Sequence, residues 1–121
     1  MMKDSNRATI AYIAGRLISE SKSSSIYDYG RGKYVNISGK IEDSKVNIYN
    51  YEKNCHFSGL RGNSNYNIYN YGDSSHISLN ISGNRFNGYD YDTSSHFSGS
   101  VKNKSVTVYD YEKSSYFNYN I

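Results

Sequence analysis

A Tyr-Asx-Tyr triplet occurs five times in this chain, at Tyr27-Asp28-Tyr29, Tyr49-Asn50-Tyr51, Tyr69-Asn70-Tyr71, Tyr89-Asp90-Tyr91 and Tyr109-Asp110-Tyr111. The first interval is 22 residues and each later one is 20. A fixed period of this size means one supersecondary unit copied in series. It constrains the architecture far more than the activity.

Within each period the pattern halves. Turn-forming tetrads return about every ten residues, from Gly30-Arg31-Gly32-Lys33 through Glu52-Lys53-Asn54-Cys55 and the 62–65 segment to Glu112-Lys113-Ser114-Ser115. They are rich in residues that accept turn geometry or hydrogen-bond their own backbone. The stretches between them alternate β-branched or aromatic residues with polar ones, as strands joined by hairpins do. About ten short strands follow. The fold expected is mainly β with one N-terminal α-helix: an antiparallel up-and-down meander of 20-residue hairpin repeats, the helix lying on its apolar face. A single domain spans 1–121, with helix and linker over 1–25 and repetitive sheet over 26–121.

The helix is expected over residues 5–20. Ile10, Ile13, Ala14 and Leu17 recur at i, i+3, i+4 and i+7, giving one apolar stripe, with Arg7, Arg16 and Glu20 off it. Asp4 or Ser5 is placed to cap its start. Gly15 weakens it by about 1 kcal/mol relative to alanine.

Pairing 51 with 56, 61 with 66, 71 with 76 and so on sorts the strands into two faces. One collects Ile37, Val46, Ile48, Phe57, Ile68, Ile77, Leu79, Phe86, Phe97, Val101, Val106 and Val108, together with Arg61, Asp90 and Asp110. The other collects nearly every tyrosine with His56, His76 and His96. A one-residue slip would mix the two sets. On the tyrosine face one row is expected to run Tyr51, His56, Tyr71, His76, and the next Tyr49, Ser58, Tyr69, Ser78.

Covering the apolar face is the difficulty. Ten strands side by side span about 48 Å, and a 16-residue helix is only about 24 Å long. Closure around the helix, or a dimer of two sheets, would hide the remainder. A third winding is a two-sided β-solenoid with 20-residue coils, which would stack each Tyr-Asx-Tyr on the next. Asp90 and Asp110 would then point into a narrow interior and repel, which favours hairpins.

The turns also segregate charge. Those at 40–45, 60–65, 80–85 and 100–105 hold six cations against two carboxylates, and those at 50–55, 70–75, 90–95 and 110–115 hold six carboxylates against two cations. Such a split serves solubility or guides an oppositely charged partner.

Catalytic and metal-binding signatures are missing. The histidines are two strands apart, about 10 Å, too far to share one ion. Asparagine at two of the five Asx positions points to hydrogen bonding rather than acid–base work. The lone Cys55 permits no intramolecular disulfide. We expect no enzyme, cofactor or metal. With no signal-peptide pattern and no apolar run of about 18 residues, the expected setting is cytoplasmic, without a membrane partner. The expected function is a non-catalytic interaction or assembly protein that self-associates as a homo-oligomer (a dimer) or binds a protein partner. Its candidate surface is Tyr49, Tyr51, His56, Tyr69, Tyr71, His76, Tyr89, Tyr91, His96, Tyr109 and Tyr111. Flat tyrosine rows also suit a glycan; single-stranded nucleic acid is a weaker reading because the face has little positive charge.

Overall fold

The computed structural model describes residues 1–63 and 65–121, so Ser64 of the 62–65 tetrad lies outside the described residues. Helix α1 (Asp4–Ser19) is followed by β1 (Ser25–Asp28), β2 (Lys33–Ile41), β3 (Lys45–Asn50), β4 (Cys55–Arg61) and β5 (Asn65–Asn70). Then come β6 (Ser75–Ser82), β7 (Arg85–Asp90), β8 (Ser95–Lys102), β9 (Ser105–Asp110) and β10 (Ser115–Asn120). Consecutive strands pair antiparallel throughout, which replaces the solenoid alternative.

The meander is not open. β1 pairs with β10 through Tyr27–Asn120 and Asp28–Tyr119, closing a ten-stranded barrel. Closure removes both sheet edges and the uncovered apolar strip in one step. Eight strands enclose a space that side chains alone can fill; ten enclose more, and α1 occupies the difference. Every residue from Asn6 to Gly15 is buried, whichever side of the helix it lies on. The helix therefore sits within the barrel rather than against one exposed face, and Arg7, expected off the apolar stripe, is 1% exposed. The helix start also differs: Lys3 holds the N-cap position without a side-chain bond, and Asp4 pairs with Arg7 instead.

The two-face partition holds except at Arg61, which lies across from the inward Tyr66 but is exposed at the end of the barrel. The inward residues Ile37, Val46, Ile48, Phe57, Ile68, Ile77, Leu79, Phe86, Phe97, Val101, Val106 and Val108 form one core with Ile10, Ala11, Tyr12, Ile13 and Ala14 of the helix. Each fully buried aliphatic or phenyl side chain contributes about 1.5–3 kcal/mol. Gly15 has a packing reason, since a Cβ there would stand 2.9 Å from both Ile121 and Val106. Glycine lets the helix approach the wall.

Register agrees with expectation at one end only. Ile41 faces Val46, Arg61 faces Tyr66 and Val101 faces Val106. At the Asx end Tyr49 faces His56 and Asn50 faces Cys55, two residues away from the expected pairing. The cause is a four-residue turn whose last member, Asn54, Ser74, Ser94 or Ser114, has φ of 50–57°. A two-residue change keeps every side chain on its face. It also staggers the rows: Tyr49 lies across from His56, whose carbonyl accepts the Tyr71 amide. The expected Tyr51–His56 row is thus replaced by one that climbs along the strands, the stagger that a closed barrel requires.

The Asx side chains explain the repeat. They point inward at the end where α1 begins, and one oxygen of each accepts turn amides: Asp28 from Arg31, Asn50 from Glu52 and Lys53, Asn70 from Gly72 and Asp73, Asp90 from Asp92, Asp110 from Glu112 and Lys113. In three copies the second polar atom addresses the helix. Asn50 Nδ2 donates to Thr9 Oγ1 at 2.7 Å, Asn70 Nδ2 donates to Asn6 Oδ1 at 3.2 Å, and Asp110 Oδ2 accepts from Arg7 at 3.0 Å. Asp28 Oδ2 takes Arg31 instead. At Asp90 the second oxygen is buried with no donor. Burial pushes this carboxyl up from its ordinary range, with the Asp92 and Asp73 charges adding to the shift.

Candidate functional site

With the aliphatic face sealed, the outer face carries whatever recognition this fold performs. β-strand alternation places both tyrosines of each triplet outward, while the Asx between them turns inward. The structure brings the expected residues together in threes. Tyr49 packs edge-on against Tyr51 and His56 with ring centres 4.9 and 4.8 Å apart. Tyr69 does the same with Tyr71 and His76 at 4.8 and 4.9 Å, and Tyr89 with Tyr91 and His96 at 4.7 and 4.6 Å. Tyr109 joins Tyr111 and also Tyr116, which lies outside the candidate set, at 4.9 and 4.7 Å. Each such contact is worth about 0.5–1.5 kcal/mol beyond its buried area.

A fifth triad was not among the candidates: Tyr27 with Tyr29 and Tyr34, at 4.9 and 4.8 Å. Tyr34 faces Tyr27 as His56 faces Tyr49 and Tyr116 faces Tyr109. The first triplet of the repeat was the signal. The 22-residue first interval hid its partner, because Tyr34 falls outside the 20-residue spacing of the histidines.

Each triad exposes two members, the rim tyrosine and the residue across from the central tyrosine: Tyr34 and Tyr116 are 68% and 70% exposed, and His56, His76 and His96 are exposed as well. Tyr29, Tyr51, Tyr71, Tyr91 and Tyr111 are 53–61% exposed, although the core beneath them is already closed. Between triads lie shallow grooves with equivalent linings at 20-residue steps. One is formed by Asn47, His56, Ser58 and Tyr71, the next by Asn67, His76, Ser78 and Tyr91. A third has Asn87, Ser98 and Tyr111. Hydroxyl contacts steady some rims: Ser38 with Tyr51 at 3.1 Å and Ser98 with Tyr111 at 3.2 Å. The first two grooves combine an aromatic wall with a floor of Asn and Ser that carries no Lys, Arg, Asp or Glu, and Arg85 borders the third.

Each histidine belongs to its own triad. Among the described residues, no three His, Cys, Asp or Glu side chains are spaced to hold a metal ion. Cys55 lies at the start of β4 rather than in the turn, buried, and burial pushes its thiol up. That disfavours the reactive thiolate.

Charge is distributed along the barrel axis. Every ion pair among the described residues lies at the end where α1 begins. There Asp73 meets Lys3 at 2.7 Å and Lys53 at 3.1 Å, while Glu52 meets Arg31 and Lys33 at 2.7 and 2.6 Å. Much of the acidic-end charge is answered internally.

No family model, curated protein or solved structure matches the chain. No helix among the described residues is long and apolar enough to cross a membrane.

Proposed function

We propose that the protein is a non-catalytic interaction module that engages a protein partner, or a second copy of itself, through the belt of aromatic triads. The observation that carries this reading is the five-fold exposure of rim tyrosines over a core that needs none of them. Tyrosine supplies large contact area with little rotamer entropy to lose, and it is enriched at protein interfaces for that reason. Edge-on packing against the central tyrosine further restricts each rim ring before any partner arrives. A repeated surface also offers several equivalent contacts rather than the single asymmetric pocket that catalysis generally uses.

The earlier reason for a dimer, an uncovered apolar strip, no longer applies, because the helix and barrel cover it. Self-association now rests on the tyrosine belt alone. Sedimentation velocity across a concentration series, comparing the native chain with Tyr71→Ser/Tyr91→Ser, tests it. Association that the double variant loses supports self-assembly. If neither protein associates, peptide-display selection against the native chain, with the variant as counter-selection, tests a protein partner; failure to enrich belt-dependent sequences removes the reading.

The neutral Asn and Ser floors favour a second reading, a glycan, whose hydroxyls would bond the floor while its C–H faces stack on tyrosine. Retarded migration in neutral polysaccharide gels, relieved by the same double variant, would distinguish it.

A further inference from the structure

The end of the barrel opposite the start of α1 carries a different surface. Lys40, Lys45, Arg61, Arg85, Lys102 and Lys104 are all exposed there, at or beside the hairpins joining β2 to β3, β4 to β5, β6 to β7 and β8 to β9. None of the six pairs with a carboxylate among the described residues. Glu42 and Asp43 share this end but neutralise none of the six through an ion pair. Paired charge at one end and unpaired cations at the other give the molecule a polar axis.

Four successive hairpin tips of a closed barrel lie around a rim, so these cations form an arc rather than a track. An arc of charge on one end of a rigid cylinder meets a plane at several points together, whereas a nucleic-acid strand or extended peptide would touch only part of it. Leu60, 67% exposed, stands at the same end, directly across from Lys45. A phosphate backbone has no use for that side chain; the interfacial region of a bilayer does. The rim tyrosines lie toward the other end, and Arg85 borders a triad groove with Tyr109, Tyr111 and Tyr116; base stacking there would engage one edge of the arc and leave the other cations unused.

We infer that this basic rim docks the barrel end-on to an anionic lipid surface, with Leu60 entering the interface. The inference goes beyond the tyrosine-belt reading and does not rest on it, because its cations lie at the opposite end, with Arg85 the one that also borders a belt groove. The expectation of no membrane partner rested on the lack of a spanning segment, which peripheral docking does not require. Oriented this way, the belt would face away from the bilayer and stay free for its partner.

Co-sedimentation with phosphatidylcholine vesicles, with and without about 30 mol% phosphatidylserine, provides the test. Each basic residue near an anionic leaflet strengthens binding about five-fold. The native chain should therefore sediment with the anionic vesicles only, and less as salt rises. Lys40→Ser/Arg85→Ser/Lys102→Ser should weaken binding roughly 100-fold, and Leu60→Ser should weaken it at fixed charge. Lys113→Ser, at the other end, should leave it unchanged, and circular dichroism checks that each variant folds. Equal binding to neutral vesicles, no binding at all, or full binding by the triple variant overturns the inference. So does a preference for an oligonucleotide over the anionic vesicles in competition.

Discussion

Arg7 of the enclosed helix donates to Asp110 Oδ2 of β9 at 3.0 Å, and the two side chains are 1% and 0% exposed. The guanidinium also donates to Asp4 and lies 3.8 Å from the centre of the Phe117 ring. Helix and wall are thus joined by a charge pair that water does not screen. Removing one partner of such a pair costs about 3–5 kcal/mol, because the other stays buried and unanswered. Arg7→Met should lower unfolding stability by that amount, read from urea denaturation. A change under about 1 kcal/mol would mean that the pair is not buried as described.

Asp90 should behave in the opposite sense. Its second oxygen has no donor, and burial raises its carboxyl above the ordinary 3.8. A group whose folded value is raised favours the folded state when protonated, and that contribution is lost as pH rises through the folded value. Asp90→Asn keeps the oxygen that caps the turn and removes the lone charge. It should stabilise the protein by about 1–2 kcal/mol at pH 7, and by much less near pH 3.

Asn50→Asp makes the reciprocal change. It replaces the amide that donates to Thr9 with an ionised oxygen, while Thr9 already donates to the Ser5 carbonyl. A loss of about 1–3 kcal/mol at neutral pH is expected. Opposite outcomes at positions 50 and 90 would show that the cost of a carboxylate at an Asx position depends on whether its second atom has a partner in the helix.

Asp73 supplies a second pH dependence. Burial alone would raise its carboxyl, but the Asn6 amide and the Lys3 and Lys53 ammonium groups override that and hold it well below the usual carboxylate range. A depressed value contributes stability that is present above about pH 3.8 and lost on further acidification. Asp73→Asn should therefore lower the unfolding temperature at pH 6, with a difference from the native chain that shrinks below pH 3.

Gly99 marks a close approach of strands. A Cβ there would collide with the Thr107 carbonyl and the Phe86 ring, whereas at Gly62 the nearest atom is 3.6 Å away. Gly99→Ala should cost about 1–3 kcal/mol, and Gly62→Ala should change stability by under about 0.5 kcal/mol. Paired thermal melts would compare them.

Strand number, the two faces and the Asx hydrogen-bonding role were legible because period-two alternation and turn chemistry are local. Closure was not. Nothing in Tyr27 or Asn120 indicates that strands nearly a hundred residues apart will pair; only the unmet need to cover the apolar face hinted at it. The helix was also misjudged for a physical reason. By pattern Arg7 falls off the apolar stripe, and only the inward Asx ring makes it and its neighbours Asn6 and Thr9 interior residues. The tyrosine triads were half visible. The outward placement of these residues follows from alternation, but the two-residue difference at each Asx turn sets Tyr49, not Tyr51, across from His56, and turns whose left-handed positions are Asn and Ser rather than glycine gave no local sign of it.

The central claim is that α1 forms the middle of a closed barrel, and amide hydrogen exchange tests it most directly. Helical amides from Ile10 to Gly15 and the β1–β10 seam should exchange only through global unfolding, at one common free energy. Helix amides that exchange well before those of β5 and β6 would contradict it.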